Sequence, residues 1–586
     1  MAAIISEKFR IFNAKQFLES LGEGVNDADT ARTRMYFFVG RSAQWAAYVE
    51  IFNVTGSFDQ GELVSGGGWS GTIAEVNENS LLIQNVLPTA STTPPFGTTI
   101  TGADSGASAK SGVYRYATEE APPAPLDNHS ETLSIYNELI AAKRITSPFA
   151  RLVIPRYNWN LSLNPKFDMY RPSYAATAGG GGSIGKQTAT GQTSLSEAKF
   201  YVMNSRYEVF KCLYNGENAS NPNGQNATYE PTSQPTAGQG SFANGIFTEP
   251  SGTAKYIWKH MFTIPTGDVL AFLSTDFIPI VESSELSRTQ VKALAVNGAV
   301  HVAVVINAGS ALPASATLYT AVKGDGSGAV VKFTTDGSGG VTSAEMQSVG
   351  SGYTYGNLRL VTGEVFTDAG LTAAAAAFTG KAFIELVISP IGGHGFDPEM
   401  ELFAKRIMTN VRLTYDEGSG DFPVDNDFRR IGIVQDPYTY GTTNYASAST
   451  LRGTYSMVVS NANSDYQVDE DIFQQVTGGI AYGKVVSWDD STGVLKYYQD
   501  PNLHSHQGVL RGFASNAANA VVGANSTTSG NVNTSANGTI SDIAFTGGLA
   551  NPEIAPNSGE IIYIENRRQI TRAADQIEDI KLVIEF

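Results

Sequence analysis

Apolar and polar residues alternate with a period of two along most of the chain, and clusters of Gly, Asn, Asp and Pro separate the alternating runs. Alternation of this kind places every second side chain on the same face of an extended strand. The first clear run, Arg34–Val39, has the sequence RMYFFV. The pattern predicts a mainly β fold, with a β-sandwich-type core, a few short helices and inserted small β-barrel-like modules.

Two stretches show helical spacing instead. Asn13 stands three residues before a Gln, in the form of a helix N-cap, and Gly22 is a suitable helix end. Residues 130–142 repeat apolar side chains every three to four positions. We therefore expect one helix from Asn13 to Gly22 and a second near 130–142.

Three blocks rich in Gly, Ser, Thr and Ala interrupt the chain. Insertions in surface loops cost a fold little stability, so blocks of this composition are typical of inserted modules. We predict an older core that carries them. The predicted core segments are 1–53 with the N-terminal helix, 119–299 with a second domain, 379–459, and 549–586 with the C-terminal strands, and the predicted inserted modules are 54–118, 300–378 and 460–548.

The first and third blocks resemble each other. Gly71–Val76 matches Gly483–Trp488 at a spacing of 412 residues, and Ile100–Ala107 matches Leu510–Ala517 at a spacing of 410. Two matches at nearly the same spacing indicate two copies of one module. The middle block has a similar composition but is not clearly a further copy.

Charge and apolar runs restrict the class of protein. The chain has 39 Lys and Arg against 56 Asp and Glu, a formal net charge of −17. Nucleic-acid binding requires a basic face, so we expect no nucleic-acid partner. The apolar run after Met1 is too short for a signal peptide, and polar residues interrupt Leu294–Ala311. We expect no membrane span and folding in a cytoplasm.

Cys212 is the only cysteine, which excludes a disulfide within the chain and any cysteine-based metal cluster. It lies in the alternating run Tyr207–Tyr214, so we predict a buried thiol on a strand. His504 and His506 would lie on one side of a strand, where a metal ion is able to bridge two imidazoles. No third ligand stands nearby in the sequence, and we predict a pair on the surface.

Other candidate motifs are weak. Gly180–Gln187 nearly matches a phosphate-binding loop, but Gln187 replaces the hydroxyl residue and no helix clearly follows, so we predict a flexible glycine-rich loop. The acidic clusters Asp469–Asp471 and Asp425–Asp427 lack the spacing of a calcium loop, and we predict solvated loops. The sequence therefore predicts no metal, no cofactor and no enzyme.

The C-terminal region has the most distinctive pattern. Ile561 and Tyr563 alternate with Ile562 and Ile564, so both faces of the segment are apolar. A strand of this kind is typical of a core or an interface, buried on both faces. We also expect the alternating apolar run that ends at Phe586 to be docked on the rest of the protein.

Several segments, in the same order along the chain, resemble the baseplate wedge proteins encoded by gene eight in T-even-type contractile-tailed bacteriophages. The closing segment is the most specific, and the three low-complexity blocks have no counterpart in the short form of that family. The matching segments are Lys8–Arg10, Phe37–Trp45, Pro122–Pro125, Val153–Trp159, Tyr256–Pro265, Phe428–Ile433, Gly559–Ile570 and Ala574–Phe586. Phe37–Trp45 has the sequence FFVGRSAQW.

The resemblance implies an enlarged homologue that forms a homodimer, binds other wedge subunits of the tail baseplate, and has neither a cofactor nor a reaction. It places the protein in the virion after assembly in the host cytoplasm. Its inserted modules would face outward, with host glycan as a weaker expectation. The predicted core or interface residues are Trp45, Trp159, Trp258, Tyr563, Glu565, Asn566, Arg567 and Phe586.

Two other classes of protein stay open. A receptor-binding fibre or adhesin also combines Gly-rich β modules with exposed aromatic residues, and it would form trimers and bind host surface glycan. A tail-associated glycan hydrolase needs only two carboxylates at a fixed separation, which a sequence does not display.

Overall fold

The computed structural model describes most of the chain, and it divides into two compact units. Unit 1 comprises Met1–Leu18, Ala150–Asn410 and Lys581–Phe586, and unit 2 comprises Glu19–Phe149 and Val411–Ile580. The described residues are 4–23, 33–76, 80–88, 93–160, 165–172, 174, 188–218, 221–250, 255–360, 365–368, 371–375, 382–413, 428–501, 504–506, 509–516, 518–569 and 578–586.

The protein is mainly β, with 44% of its residues in strands and 9% in helices, as the alternating pattern predicted. Among the described residues, no helix is both long and apolar enough to cross a membrane. The helices are α1 (Glu7–Glu23), α2 (His129–Asn137), α3 (Thr266–Phe272), α4 (Leu286–Ala293) and α5 (Pro398–Glu401).

The boundaries of both predicted helices were wrong. Helix α1 begins at Glu7 rather than Asn13, because the Ser6 hydroxyl already accepts a hydrogen bond from the Phe9 amide at 3.3 Å. Helix α2 ends at Asn137 rather than near residue 142. Its apolar pattern continues into a strand, so the periodicity alone did not mark the change.

The chain between residues 33 and 149 supplies the first strands of unit 2. They are β1 (Met35–Gly40), β2 (Ala47–Thr55), β3 (Leu63–Gly66), β4 (Trp69–Val76), β5 (Ser80–Leu87), β6 (Thr99–Gly102), β7 (Ser108–Arg115) and β8 (Leu139–Ile145).

The next section builds most of unit 1. Its strands are β9 (Ala150–Pro155), β10 (Tyr201–Met203), β11 (Glu208–Tyr214), β12 (Ser241–Ala243), β13 (Ile246–Thr248), β14 (Ile257–Thr263), β15 (Phe277–Pro279), β16 (Val300–Asn307), β17 (Thr317–Ala321), β18 (Lys323–Gly324), β19 (Ser327–Thr335), β20 (Val341–Ser351), β21 (Gly356–Leu360), β22 (Val365–Asp368), β23 (Leu371–Ala375), β24 (Ala382–Ile388) and β25 (Arg406–Leu413).

The last section returns to unit 2 and ends in a strand that reaches unit 1. Its strands are β26 (Arg430–Gln435), β27 (Thr450–Arg452), β28 (Tyr455–Ser460), β29 (Asp471–Val476), β30 (Gly479–Asp489), β31 (Val494–Tyr498), β32 (Ser505–His506), β33 (Val509–Leu510), β34 (Ala520–Gly523), β35 (Ser529–Val532), β36 (Gly538–Ile540), β37 (Ile543–Phe545), β38 (Leu549–Ala550), β39 (Glu560–Asn566) and β40 (Glu578–Glu585).

Unit 1 contains four sheets. Two of them, with strand orders β10-β11-β14-β13-β12 and β15-β9-β25-β40, belong to the predicted core segments. The other two, β16-β24-β21-β18 and β20-β19-β17-β22-β23, take all their strands from the middle block 300–378 except β24, which lies just beyond it. Trp258 and Cys212 are fully buried in the unit's apolar core, which confirms the predicted strand thiol.

Unit 2 combines one five-stranded sheet with two small closed barrels. The sheet has the order β27-β8-β1-β26-β39. The first barrel, residues 47–115, closes as β2-β5-β4-β3-β6-β7. The second barrel, residues 455–532, closes as β28-β31-β30-β29-β34-β35 through the pairing of β28 with β31. Both rings connect their six strands in the same order along the chain, as expected of two copies of one module.

One buried glutamate occupies the same place in each barrel. Glu62 accepts hydrogen bonds from the amides of Asp104 and Ser105, at 3.0 Å each. Glu470 accepts bonds from the amides of Asn525 and Ser526, at 3.0 and 2.8 Å. The serine hydroxyl of each turn also donates to its glutamate at 2.7 Å. The glutamate thus connects the residue before the second strand of the barrel to the turn of its last hairpin.

These bonds correct one predicted match. Gly71 does correspond to Gly483, since each is paired with a buried residue two positions after the glutamate. The counterpart of Ile100–Ala107, however, is Val521–Thr528 rather than Leu510–Ala517. The second copy carries extra residues around the β32–β33 hairpin, and the low complexity of the chain concealed that shift.

Candidate functional site

Five of the eight predicted core or interface residues lie together at one end of the five-stranded sheet. They are Trp45, Tyr563, Glu565, Asn566 and Arg567. The sheet explains their proximity, because β26 pairs with β1 on one side and with β39 on the other. The other three residues lie in unit 1, where Trp159 and Trp258 belong to the apolar core and Phe586 packs against Phe17 at 5.5 Å between ring centroids.

Trp45 is held from several sides. Its indole Nε1 donates to the Arg567 carbonyl at 2.6 Å, and its amide donates to the Glu119 carboxylate at 2.7 Å. The guanidinium of Arg41 lies 4.2 Å from its ring centroid, and that of Arg430 lies 5.6 Å away. Both separations suit cation–π attraction. Trp45 therefore connects three distant segments of the chain.

The arginines around Trp45 form a cluster with buried carboxylates. Arg41 pairs with Glu138 at 2.5 Å, and Arg430 pairs with Glu138 at 3.2 Å and with Glu131 at 2.6 Å. Burial alone would lower the pKa of Arg41, but the nearby carboxylate of Glu138 raises it above its ordinary value. The cluster consists of Arg41, Arg429, Arg430, Glu119, Glu131 and Glu138 and is called the arginine cluster below.

The arginine cluster was not predicted from the sequence. Its members come from positions up to about four hundred residues apart, and no local pattern relates an arginine at one end of such a span to its glutamate. Two features of the sequence could have pointed to it: the adjacent arginines Arg429 and Arg430, and the charged residues on either side of Asn566. The first arginine reaches Glu119 and the carbonyl of Ser42, while the second reaches Asn566 at 2.9 Å.

A cleft of about 390 Å³ opens beside Trp45 in unit 2 and is called the Trp45 cleft below. Three segments form its walls: the approach to β2, the end of β5 and the segment after β7. Its lining combines small apolar side chains with carboxamides. The lining residues are Gln44, Trp45, Ala46, Ile83, Gln84, Asn85, Val86, Ala117, Thr118 and Glu119.

A further set of charged residues surrounds Asp471 of the second barrel. Lys484 Nζ lies 2.8 Å from its carboxylate, and His504 Nε2 lies 3.9 Å away. Although burial raises the pKa of Asp471, His504 and Lys484 lower it to about 2. The charges of Lys484 and Asp471 also act on Glu75 of the first barrel. Burial raises the pKa of Glu75 to about 7, and Lys484 opposes that rise.

These contacts overturn two predictions. His504 is buried rather than exposed, because its Nδ1 accepts a hydrogen bond from the Asp500 amide at 2.8 Å. The cluster Asp469–Asp471 is not a solvated loop. Its middle residue, Glu470, is the buried anchor of the second barrel. Gly180–Gln187 and Asp425–Asp427 lie outside the described residues.

Unit 1 contains its own buried polar group. Lys211 pairs with Glu401, and its ammonium lies 4.4 Å from the ring centroid of Tyr170. His394 Nδ1 lies 3.7 Å from the Glu401 carboxylate, and its ring centroid is 5.4 Å from that of His301. Burial lowers the pKa of both histidines, and the cations nearby lower it further. Both imidazoles are therefore neutral at pH 7.

Strand β39 is the edge of its sheet among the described residues, and its side chains are only partly covered in the single chain, so the predicted choice between core and interface stays open. Within the described part of the chain, no strand pairs with its outer side. Ile562 is 41% exposed, while Ile561, Tyr563 and Ile564 are half-buried. An edge with apolar side chains and free backbone groups is suited to pairing with another chain.

Metal ligands and ion pairs complete the description of the charged side chains. No three His, Cys, Asp or Glu side chains among the described residues come together as ligands for a metal ion. The carboxylates of the arginine cluster each have a guanidinium partner, which connects the end of β1 and the start of β26 to helix α2 and to the segment after β7. No protein-family model matches the sequence, and no curated protein matches it.

Proposed function

We propose that the protein is a structural subunit of a bacteriophage contractile-tail baseplate wedge, which packs as a homodimer against other wedge proteins and rearranges when the tail contracts. One observation carries the proposal. Three of the segments that resemble gene-eight wedge proteins, Phe37–Trp45, Phe428–Ile433 and Gly559–Ile570, supply the neighbouring strands β1, β26 and β39.

The edge strand supports the homodimer. Among the described residues β39 is the edge strand of the five-stranded sheet, and its Ile562 is exposed. Two copies related by a two-fold axis can bring the same edge together, since such an interface uses one surface twice. Strand pairing of this kind needs no cofactor, and the proposal includes neither a cofactor nor an enzymatic reaction.

The first experiment measures the mass of the purified chain by light scattering over a dilution series. The monomer mass is 62.3 kDa, and we expect a species of about twice that mass. Ile562→Lys places a charge on the β39 edge and should give monomers at concentrations where the native chain is dimeric. Val113→Lys is the matched control, because Val113 is 52% exposed on β7 of the first barrel.

The outcomes separate the classes of protein. A stable trimer would favour a fibre or adhesin and contradict the wedge proposal. A dimer that persists in Ile562→Lys would place the interface elsewhere. The subunit role itself is tested by mixing the native chain with purified wedge neighbours, where failure to co-migrate in sedimentation would overturn it.

A further inference from the structure

The Trp45 cleft has the size and lining of a binding site that packing does not account for. Its volume of about 390 Å³ lies within the usual range for small-molecule sites, roughly 300–1,000 Å³. We propose that the cleft binds a short, uncharged oligosaccharide. The proposal does not rest on the wedge function, since binding is a property of the first barrel in any assembly.

The polar part of the lining consists of carboxamides. Gln44, Gln84 and Asn85 are exposed at its rim. Each carboxamide offers two donors and an acceptor, which is the set that neighbouring sugar hydroxyls require. Gln84 Nε2 lies 3.5 Å from Gln44 Oε1, and no protein partner is found for the Asn85 carboxamide among the described residues. The rim therefore retains hydrogen-bonding capacity for a ligand.

The apolar part of the lining lies beneath the rim. Ile83, Val86 and Ala117 contribute to the lining there, together with Trp45, which is only 5% exposed. A sugar ring has apolar C–H faces and a polar rim of hydroxyls, so an apolar floor below carboxamides matches both parts of it. Binding sites of this kind use few polar groups to fix the orientation of the ligand.

The electrostatics favour a neutral ligand over an anion. Glu119 is the one ionisable residue of the lining, and its carboxylate is paired with Arg429 and with the Trp45 amide. The nearby guanidinium groups of Arg41 and Arg430 are paired with Glu138. These arginines are not available to bind phosphate, sulfate or carboxylate groups.

The local backbone disfavours a peptide. Between the pairs Ser70–Leu87 and Thr72–Gln84, strand β5 has one more residue than β4, and Asn85 has a φ of +52°. A bulge re-aims side chains and interrupts the regular ladder that an added peptide strand would need. Asn85 lies in this bulge and is one of the residues that line the cleft.

The second barrel provides an internal comparison. The pairing of Ile83 with Ile73 matches that of Tyr497 with Val485, so Gln499 takes the position of Asn85. Gln499 is buried, and its amide nitrogen donates to the carbonyls of Tyr482 and Arg511 at 2.6 and 2.8 Å. The carboxamide is thus used internally in one copy and is open to a ligand in the other.

The test uses the full chain and an array of short neutral oligosaccharides built from hexoses, deoxyhexoses and N-acetylhexosamines, with sulfated counterparts and extended peptides beside them. The best neutral sugar is then titrated by calorimetry. The double variant Gln84→Ala with Asn85→Gly removes two carboxamides and keeps the positive φ accessible. We expect its affinity to fall at least roughly tenfold, since each hydrogen bond contributes several-fold.

Gln475→Ala is the matched control, because Gln475 is an exposed carboxamide on β29 of the second barrel, and it should bind as the native chain does. Unchanged thermal unfolding of the double variant shows that the loss is local. The proposal is overturned if no neutral sugar binds, if only sulfated sugars or peptides bind, or if the double variant binds as tightly as the control. If the chain binds a neutral sugar but does not assemble with wedge proteins, the sugar site is supported and only the proposed wedge function is rejected.

Discussion

Glu75 shows how a single side chain is able to couple the stability of unit 2 to pH. Burial raises its pKa to about 7, Lys484 opposes that rise, and Asp471 adds to it. In the unfolded chain the same carboxyl titrates near 4.5. The folded state therefore holds a proton that the unfolded state has lost between these two values. The contribution of Glu75 is fully present below pH 4.5 and is lost as the pH rises through about 7.

We expect Glu75→Gln to raise the free energy of unfolding at pH 8 by roughly 1–3 kcal/mol and to leave it unchanged near pH 4.5, because Gln carries no proton to lose. Denaturant unfolding at the two pH values, followed by tryptophan emission, measures the difference. Glu120→Gln is the control, since that side chain is 86% exposed. Equal effects of Glu75→Gln at both pH values would contradict the explanation.

At the scale of elements, the repeated glutamate-anchored turn predicts parallel behaviour of the two barrels. Glu62 and Glu470 each accept three amide bonds and one hydroxyl bond. Bonds to a charged group contribute about 1.5–3 kcal/mol, and a donor left unsatisfied in a partly buried turn adds a further cost. The loss of either carboxylate should therefore weaken the barrel that contains it.

We expect Glu62→Ala and Glu470→Ala each to lower the free energy of unfolding by about 2 kcal/mol or more. Hydrogen exchange should report the loss at the Ser105 turn in the first variant and at the Ser526 turn in the second. An exposed glutamate variant such as Glu120→Ala should change neither turn. A response of the same turn to both substitutions would show that the anchors do not act locally.

The elements show what the sequence was able to predict. Alternation identified β1 and the strand that carries Cys212, because a period of two is a local property, whereas the composition of the blocks and their matching segments indicated the two barrels. The arginine cluster depends on partners brought together by sheet pairing, which no local pattern encodes. The Trp45 cleft likewise depends on long-range pairing, because the chain enters β2 beside the bulge of β5.

At the scale of the whole molecule, buried histidines make the stability of unit 1 depend on acid. Burial lowers the pKa of His260 and of His301 to about 4, from an ordinary value of 6.5. Glu208 opposes the shift at His260, whereas Lys259 and Lys211 add to it at His301. Between pH 6.5 and about 4, these two imidazoles are therefore protonated in the unfolded chain but neutral in the folded unit 1. Stability conferred by the neutral histidines is present above pH 6.5 and is lost as the pH falls towards 4.

As the pH falls from 6.5 to about 4, the contribution of each histidine to the free energy of unfolding of unit 1 should therefore decrease by up to about 3 kcal/mol. Hydrogen exchange at pH 7 and pH 4.5 measures the effect separately in strands β14 and β16, which carry the two residues. His301→Asn should lessen the loss in β16. Protection of these strands that does not change with pH would rule out buried neutral histidines as its source.

The closure of the two barrels has a consequence for how this protein is able to change over generations. β2 pairs with β7, and β28 pairs with β35, so the chain enters and leaves each barrel on adjacent strands. Recombination can therefore replace a whole barrel while the strands that connect it to the five-stranded sheet keep their register. The sheet and the two barrels can then evolve under different selective pressures, and one barrel can acquire a new surface while the other keeps its original surface.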